Sequence, residues 1–178
     1  MALDQLTPVI RTERLALMPW GERHRAPLHA MQADREVMAD YGGPVDGVAS
    51  DAKIARYADA HARHGFTRWA VEDAAGVFLG YVGVMPADWH GLGPHHEIGW
   101  RLVRCAWGQG YATEAARAAL ADVFARTPIA EVLAYTAPDN ARSQAVMARL
   151  GLERRPLLDY TNEFGWRGLV WSAARPAG

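Results

Sequence analysis

The stretch from His96 to Arg126 constrains this chain more than any other. Along His96–Val103 the even positions Ile98, Trp100 and Leu102 are apolar, while the odd ones include Glu97, Gly99 and Arg101. Period two of that kind predicts a half-buried strand. Two glycines follow, Gly108 and Gly110, and then Ala112, Ala116, Ala119, Leu120 and Val123 recur at helical spacing. The stretch therefore reads as strand, glycine-rich turn and helix. Small side chains on the helix allow it to lie close against a sheet.

Such a junction is suited to binding anions. The first amides of a helix have no partner inside it and point outward, where the helix dipole adds partial positive charge. Gly108 and Gly110 remove Cβ atoms where the backbone bends and where a phosphate would approach. Gln109 to Thr113 thus read as a cradle for a pyrophosphate, or else as a purely structural turn. A P-loop needs four residues between its glycines and then Lys-Ser/Thr, and neither is present. The dinucleotide fingerprint G-x-G-x-x-G fails at its last glycine, which is Thr113 here. Too little chain follows the turn for a full dinucleotide fold.

The segment Ile98 to Ala115 resembles motif A of the GNAT superfamily of acetyl-CoA-dependent N-acetyltransferases. Its pattern Gln/Arg-x-x-Gly-x-Gly/Ala is met by Trp107-Gly108-Gln109-Gly110-Tyr111-Ala112 except at the first position. Trp at that position, within a W-G-x-G-Y-A-T-E-A run, is similar to the branch of ribosomal-protein N-terminal acetyltransferases. Thr12 to Leu17 resembles the opening strand of that branch, and Asn140 to Ser143 with Leu150-Gly151-Leu152 resembles its Asn-x-x-Ser…Leu-Gly-Phe segment.

The resemblance implies an α/β fold: a mixed, mostly antiparallel sheet of six to seven strands, flanked by helices and splayed at its centre. It implies acetyl-CoA as co-substrate, a primary amine as acceptor and direct transfer in a ternary complex. The acceptor would be a protein or peptide N-terminus or a small amine. A non-catalytic CoA-binding sensor or scaffold is the rival reading. Backbone groups at Leu102, Val103 and Arg104 would bond the pantetheine arm. The amides of Gly108, Gln109, Gly110, Tyr111, Ala112 and Thr113 would hold the pyrophosphate, with Arg104 and Arg142 neutralising further charge. Asn140 would contact the cofactor as well as cap a helix.

Acetyl transfer to an amine also requires proton traffic. An amine like that of lysine has a pKa near ~10.4, so on the order of one molecule in two thousand is neutral at pH 7. Family likeness makes Glu97 the general base, with Glu163 in reserve. Many relatives carry a tyrosine acid seven residues after the Asn. That position is Met147, which cannot donate a proton, so the role passes to Ser143, with Tyr160 and Tyr111 behind it. Trp89, His90 and His95 would line the acceptor entrance.

The remaining pattern predicts a strand at Leu15–Trp20 and a helix from Glu22 to about Ala33, despite Pro27. A second helix is expected from Asp51 to His64, capped by Ser50 and presenting Ile54, Tyr57, Ala58 and His61. Strands follow at Thr67–Glu72 and Val77–Met85, then at Val132–Thr136, and the last ones within Phe164–Trp171. The 178 residues read as one domain. Half are hydrophobic and 22% charged, with net charge −1 and no long basic run, which argues against nucleic acid as a partner. The single cysteine, Cys105, precludes an internal disulfide and fits a reducing cytoplasm. No segment has membrane-spanning length. No metal site is expected, because His95 and His96 point to opposite faces of their strand. Family habit makes a homodimer an expectation.

Overall fold

The computed structural model describes residues 10–89 and 91–176. Nine strands are present among them: β1 (Ile10–Arg11), β2 (Leu15–Met18), β3 (Arg68–Asp73), β4 (Phe78–Ala87), β5 (His95–Leu102), β6 (Glu131–Thr136), β7 (Glu153–Arg154), β8 (Tyr160–Thr161) and β9 (Arg167–Ala174). Four α-helices accompany them: α1 (Arg25–Ala33), α2 (Gly47–His64), α3 (Tyr111–Arg126) and α4 (Ala141–Arg149). The sheet order is β1-β2-β3-β4-β5-β6-β9-β7, with β8 paired to β9. Every pairing is antiparallel except β5 with β6. The mixed sheet is as expected, but larger than six to seven strands, because β1, β7 and β8 are two-residue pairings with no hydrophobic period to read.

Helices cover both faces. Ala115, Ala116 and Ala119 of α3 are buried against Leu79, Val82, Ile98, Val132 and their neighbours, and Met147 of α4 joins that core. On the opposite face Leu28 and Met31 of α1 and Tyr57 and Ala60 of α2 pack on Ala70, Tyr81 and Met85. Two-sided cover changes the meaning of the period in β5. Its even residues Ile98 and Leu102 face α3, but Glu97, an odd one, is buried as well, on the α1–α2 side.

Two helix starts differ from expectation. Glu22–His24 form a 3-10 turn before α1, so Pro27 stands third in the helix, where no backbone N–H is needed. The second helix begins at Gly47, not Asp51, because Asp46 is the cap: its Oδ1 accepts from the Ala49 N–H at 2.8 Å. Ser50 is instead wholly buried inside α2. The core face of α2 is Ser50, Lys53, Tyr57 and Ala60, while Ala58 is exposed. A stripe containing a serine and a lysine is invisible to a search for apolar residues. The last long strand also runs later than expected, to Ala174.

Candidate active site

Among the described residues, β5 and β6 pair in parallel register at Glu97 and Leu133 alone. Beyond that point towards their C-terminal ends the two strands part. Val103 N–H bonds the Leu79 carbonyl at 2.9 Å, so in the β4–β5 ladder the odd residues of β5 turn their backbone groups to β4. Trp100 and Leu102 therefore turn theirs into the gap. Of the three residues expected to bond a pantetheine arm, Leu102 is placed to do so, but Val103 is not: its N–H serves Leu79 and its carbonyl accepts from Ala106. The Leu102 carbonyl already accepts from Trp107 Nε1 at 2.9 Å. The Arg142 guanidinium lies 3.7 Å above the same Trp107 ring, at the rim of the gap.

The gap leads to the start of α3. Among the described residues, the N–H groups of Gly108, Gln109, Gly110, Tyr111, Ala112 and Thr113 have no protein acceptor. Gly108 and Gly110 have φ of 73° and 79°, a left-handed conformation that L side chains adopt with strain. The connection between β1 and β2 holds this turn in place. Glu114 takes a hydrogen bond from Thr12 Oγ1 at 2.5 Å and one from the Arg14 N–H at 2.9 Å, and its other oxygen pairs with the Arg14 guanidinium at 2.6 Å. Arg14 also donates to the Gln109 carbonyl at 2.9 Å and covers the Tyr111 ring. The Thr12–Arg14 and Gly108–Ala115 segments, far apart in the chain, are thus one structural unit.

The remaining expected residues divide. Asn140 caps α4, its Oδ1 accepting from the Ser143 N–H at 3.1 Å, and its amide donates to Asp40. Ser143 is half-buried in the first turn of α4. Arg104 is already paired with Asp34 at 2.8 Å and Glu36 at 3.0 Å, which turns it towards the segment after α1. Glu163 stands exposed in the turn between β8 and β9, apart from the buried groups around Glu97. Met147 is core. Cys105 is exposed on the turn at the far end of β5 from Glu97. Trp89 and His95 line an open cleft of about 570 Å³ beside the first residues of β5. His90 lies outside the described residues. Among the described residues no three His, Cys, Asp or Glu side chains gather as a metal would require.

Glu97 is set in a buried frame that the sequence did not announce. Arg68 extends across β4 and places Nη2 2.6 Å from Glu97 Oε1. Its guanidinium lies flat on Gly99, where a Cβ would come within 2.6 Å of Nη2. A glycine inside a strand is the available hint of such an approach. Burial works against the charge on Arg68, but Glu97, Tyr57 and Tyr81 together keep it protonated beyond the ordinary arginine range. Glu97 Oε2 is buried, with the Tyr135 phenol beside the carboxylate. Tyr135 on β6 adjoins the carboxylate, and burial together with the Glu97 charge raises its phenol well above the usual range. Tyr160 is raised by the same two causes.

Residues 14–153 match the family model for the acetyltransferase (GNAT) domain. The chain is a GNAT acetyltransferase. The FsC-acetyl coenzyme A-N(2)-transacetylase of Aspergillus fumigatus is 33% identical over 153 residues, covering 82% of this chain but 65% of that relative, so the chain spans less than two thirds of its length. A solved acetyltransferase from Agrobacterium tumefaciens strain C58 superposes with TM-score 0.82 at 25% identity, over 97% of this chain and 98% of its own. A RimL ribosomal L7/L12 alpha-N-protein acetyltransferase superposes with TM-score 0.75 at 15% identity, over 95% and 94% of the two chains, a likeness of fold.

Proposed function

We propose that this GNAT acetyltransferase moves acetyl from acetyl-CoA to a primary amine by direct attack, with both substrates bound together. One observation carries the reading: the gap between β5 and β6 opens onto six backbone amides without protein acceptors at the start of α3. A doubly charged pyrophosphate is what such a cradle would bind. The splay-facing backbone of Trp100 and Leu102 would hold the pantetheine amides, and Arg142 would add charge at the rim. Acetyl-CoA supplies an acyl group already activated as a thioester.

The residues of the chain would manage the protons. Glu97 Oε2 is the proposed acceptor of the amine proton; Arg68 fixes the other oxygen and so the direction of the carboxylate. Ser143 is the proposed donor towards the departing sulfur, being placed at the start of α4 with its own N–H bonded to Asn140. Cys105 sits exposed at the wrong end of β5 to act as a covalent carrier.

Calorimetric titration with acetyl-CoA tests the cradle. Gly108→Asp and Gly108→Asn place side chains of equal size where nothing lies within 4 Å of the new Cβ, and both residue types tolerate positive φ. The Asp variant should lose acetyl-CoA binding by tenfold or more relative to the Asn variant; equal affinities refute the assignment. Turnover with small amines and short peptides, compared side by side, tests the transfer itself.

A further inference from the structure

On the α1–α2 side of the sheet, hydrogen-bond donors outnumber acceptors. Lys53 occupies the core-facing stripe of α2 and is nine-tenths buried. Among the described residues no carboxylate lies within 4 Å of its Nζ. Its neighbours are the faces of Tyr41, at 4.4 Å, and Tyr81, at 5.9 Å. Arg101 faces the same Tyr41 ring at 5.5 Å. Two cations thus converge on one ring that is 53% exposed. Around them the Tyr57 hydroxyl, beside Arg68, and the Nε atoms of Arg68 and Arg101 are buried without a well-formed hydrogen bond among the described residues.

The acids in this wall are already engaged: Glu97 with Arg68, and Asp40 with Arg101 at 2.6 Å. Lys53 is the surplus charge. A ring face offsets a desolvated ammonium less than a hydrogen-bonded anion does. Burial and the fields of Arg101, Arg56 and Arg68 push Lys53 down to about 8, consistent with a cation awaiting a counter-charge. Tyr41 is followed by Gly42 and Gly43, with φ of 87° and 113° and open space around both, so no side chain follows the ring to cover it.

We infer that Lys53 and Arg101, with the Tyr57 hydroxyl, form a subsite for a carboxylate carried by the amine acceptor. The inference rests on the proposed transfer to a primary amine and names the class of amine. Arg101 and Glu97 share one face of β5, four residues apart, which is about 13 Å along an extended strand. With both side chains reaching inward, an amine at Glu97 and a carboxylate at Lys53 are several bonds apart. The favoured acceptor is therefore an ω-amino acid, or an amino acid with a side-chain amine, and not a polyamine.

The test uses the full chain with acetyl-CoA and the series glycine, β-alanine, 4-aminobutanoate and 6-aminohexanoate, each against the n-alkylamine of equal length. Expected is a kcat/KM at least about tenfold higher for the longer amino acids than for their alkylamines. In Lys53→Met the preference should fall to near unity, with Lys53→Arg retaining most of it. Acetyl-CoA affinity, measured by calorimetry, should be unchanged in both variants, which also shows that they are folded. Equal rates for both series in the wild type, or a preference that survives Lys53→Met, overturns the subsite while leaving transfer to amines intact. Absence of turnover with every amine and peptide, by contrast, would remove the transfer reading. Binding gives a second readout: 6-aminohexanoate should titrate into the wild type but not into Lys53→Met.

Discussion

Arg68 and Glu97, two strands apart, meet at 2.6 Å because the residues in register with Arg68 on the next two strands, Gly83 and Gly99, have no side chains. Both partners are nearly removed from water, with 14% and 10% of their side-chain surface exposed. Trp20 Nε1 donates to the Arg68 carbonyl at 2.6 Å and fixes the base of the long side chain. The pair therefore fixes the orientation of the Glu97 carboxylate.

Removing one partner strands a buried charge. Arg68→Met is expected to lower stability by about 3–5 kcal/mol in denaturant unfolding, and the double variant Arg68→Met with Glu97→Leu to recover a large part of that. A double variant as unstable as the single would show that the two side chains are not coupled. Gly99→Ala should displace Arg68 and reduce turnover with Glu97 still present.

Glu97→Gln keeps the shape of the side chain and removes its capacity to take a proton. Turnover should fall by about 10²–10⁴-fold while acetyl-CoA affinity holds. The deficit should shrink as pH rises towards ~10, where an alkylamine loses its own proton. A deficit constant across pH would assign Glu97 to positioning alone. Ser143→Ala should give a smaller loss, greatest with acyl donors whose leaving thiol is most basic.

Glu114 ties the β1–β2 connection to the glycine turn. Burial opposes its charge, but bonds from Thr12 and Arg14 outweigh that and hold its carboxyl below the usual glutamate range. With the folded value depressed, the unfolded chain takes up the proton first. The associated stability is present above the unfolded value near ~4.5 and is lost as pH falls through the folded one. Unfolding measured from pH 6 to pH 3 should show this loss in the wild type and a flatter profile in Glu114→Gln, which also should bind acetyl-CoA less well.

Lys53 gives the same sign in a higher pH window. Its folded value of about 8 lies below that of the unfolded chain, so between pH 8 and ~10 the unfolded state carries more protons and stability rises with pH. The rise should be absent in Lys53→Met. The phenols of Tyr81, Tyr135 and Tyr160, all raised by burial, add a fall only above their unfolded value near ~10.

Much of the site's frame was legible in the order of residues. Gln109 to Thr113 read as the proposed cradle because glycine and helix-start chemistry are local matters, readable over a few positions. Asn140 announced itself as a cap for the same reason, whereas Leu102 came from the family resemblance. Arg68 and Lys53 did not. A strand arginine and a helix lysine look like solvated surface, and nothing nearby in the chain says that a second layer of helices covers that face.

The chain's own order determined the elements, the glycine turn and the family, since each depends on interactions within roughly a dozen residues. Tertiary structure alone decided which charges are buried together: Arg68 on Glu97, Glu114 on Arg14, and Lys53 without a carboxylate. The reason is physical. Helix and turn signals are short-range, whereas the worth of a charge depends on how much water the rest of the fold removes from around it, and that is known only once distant strands have met.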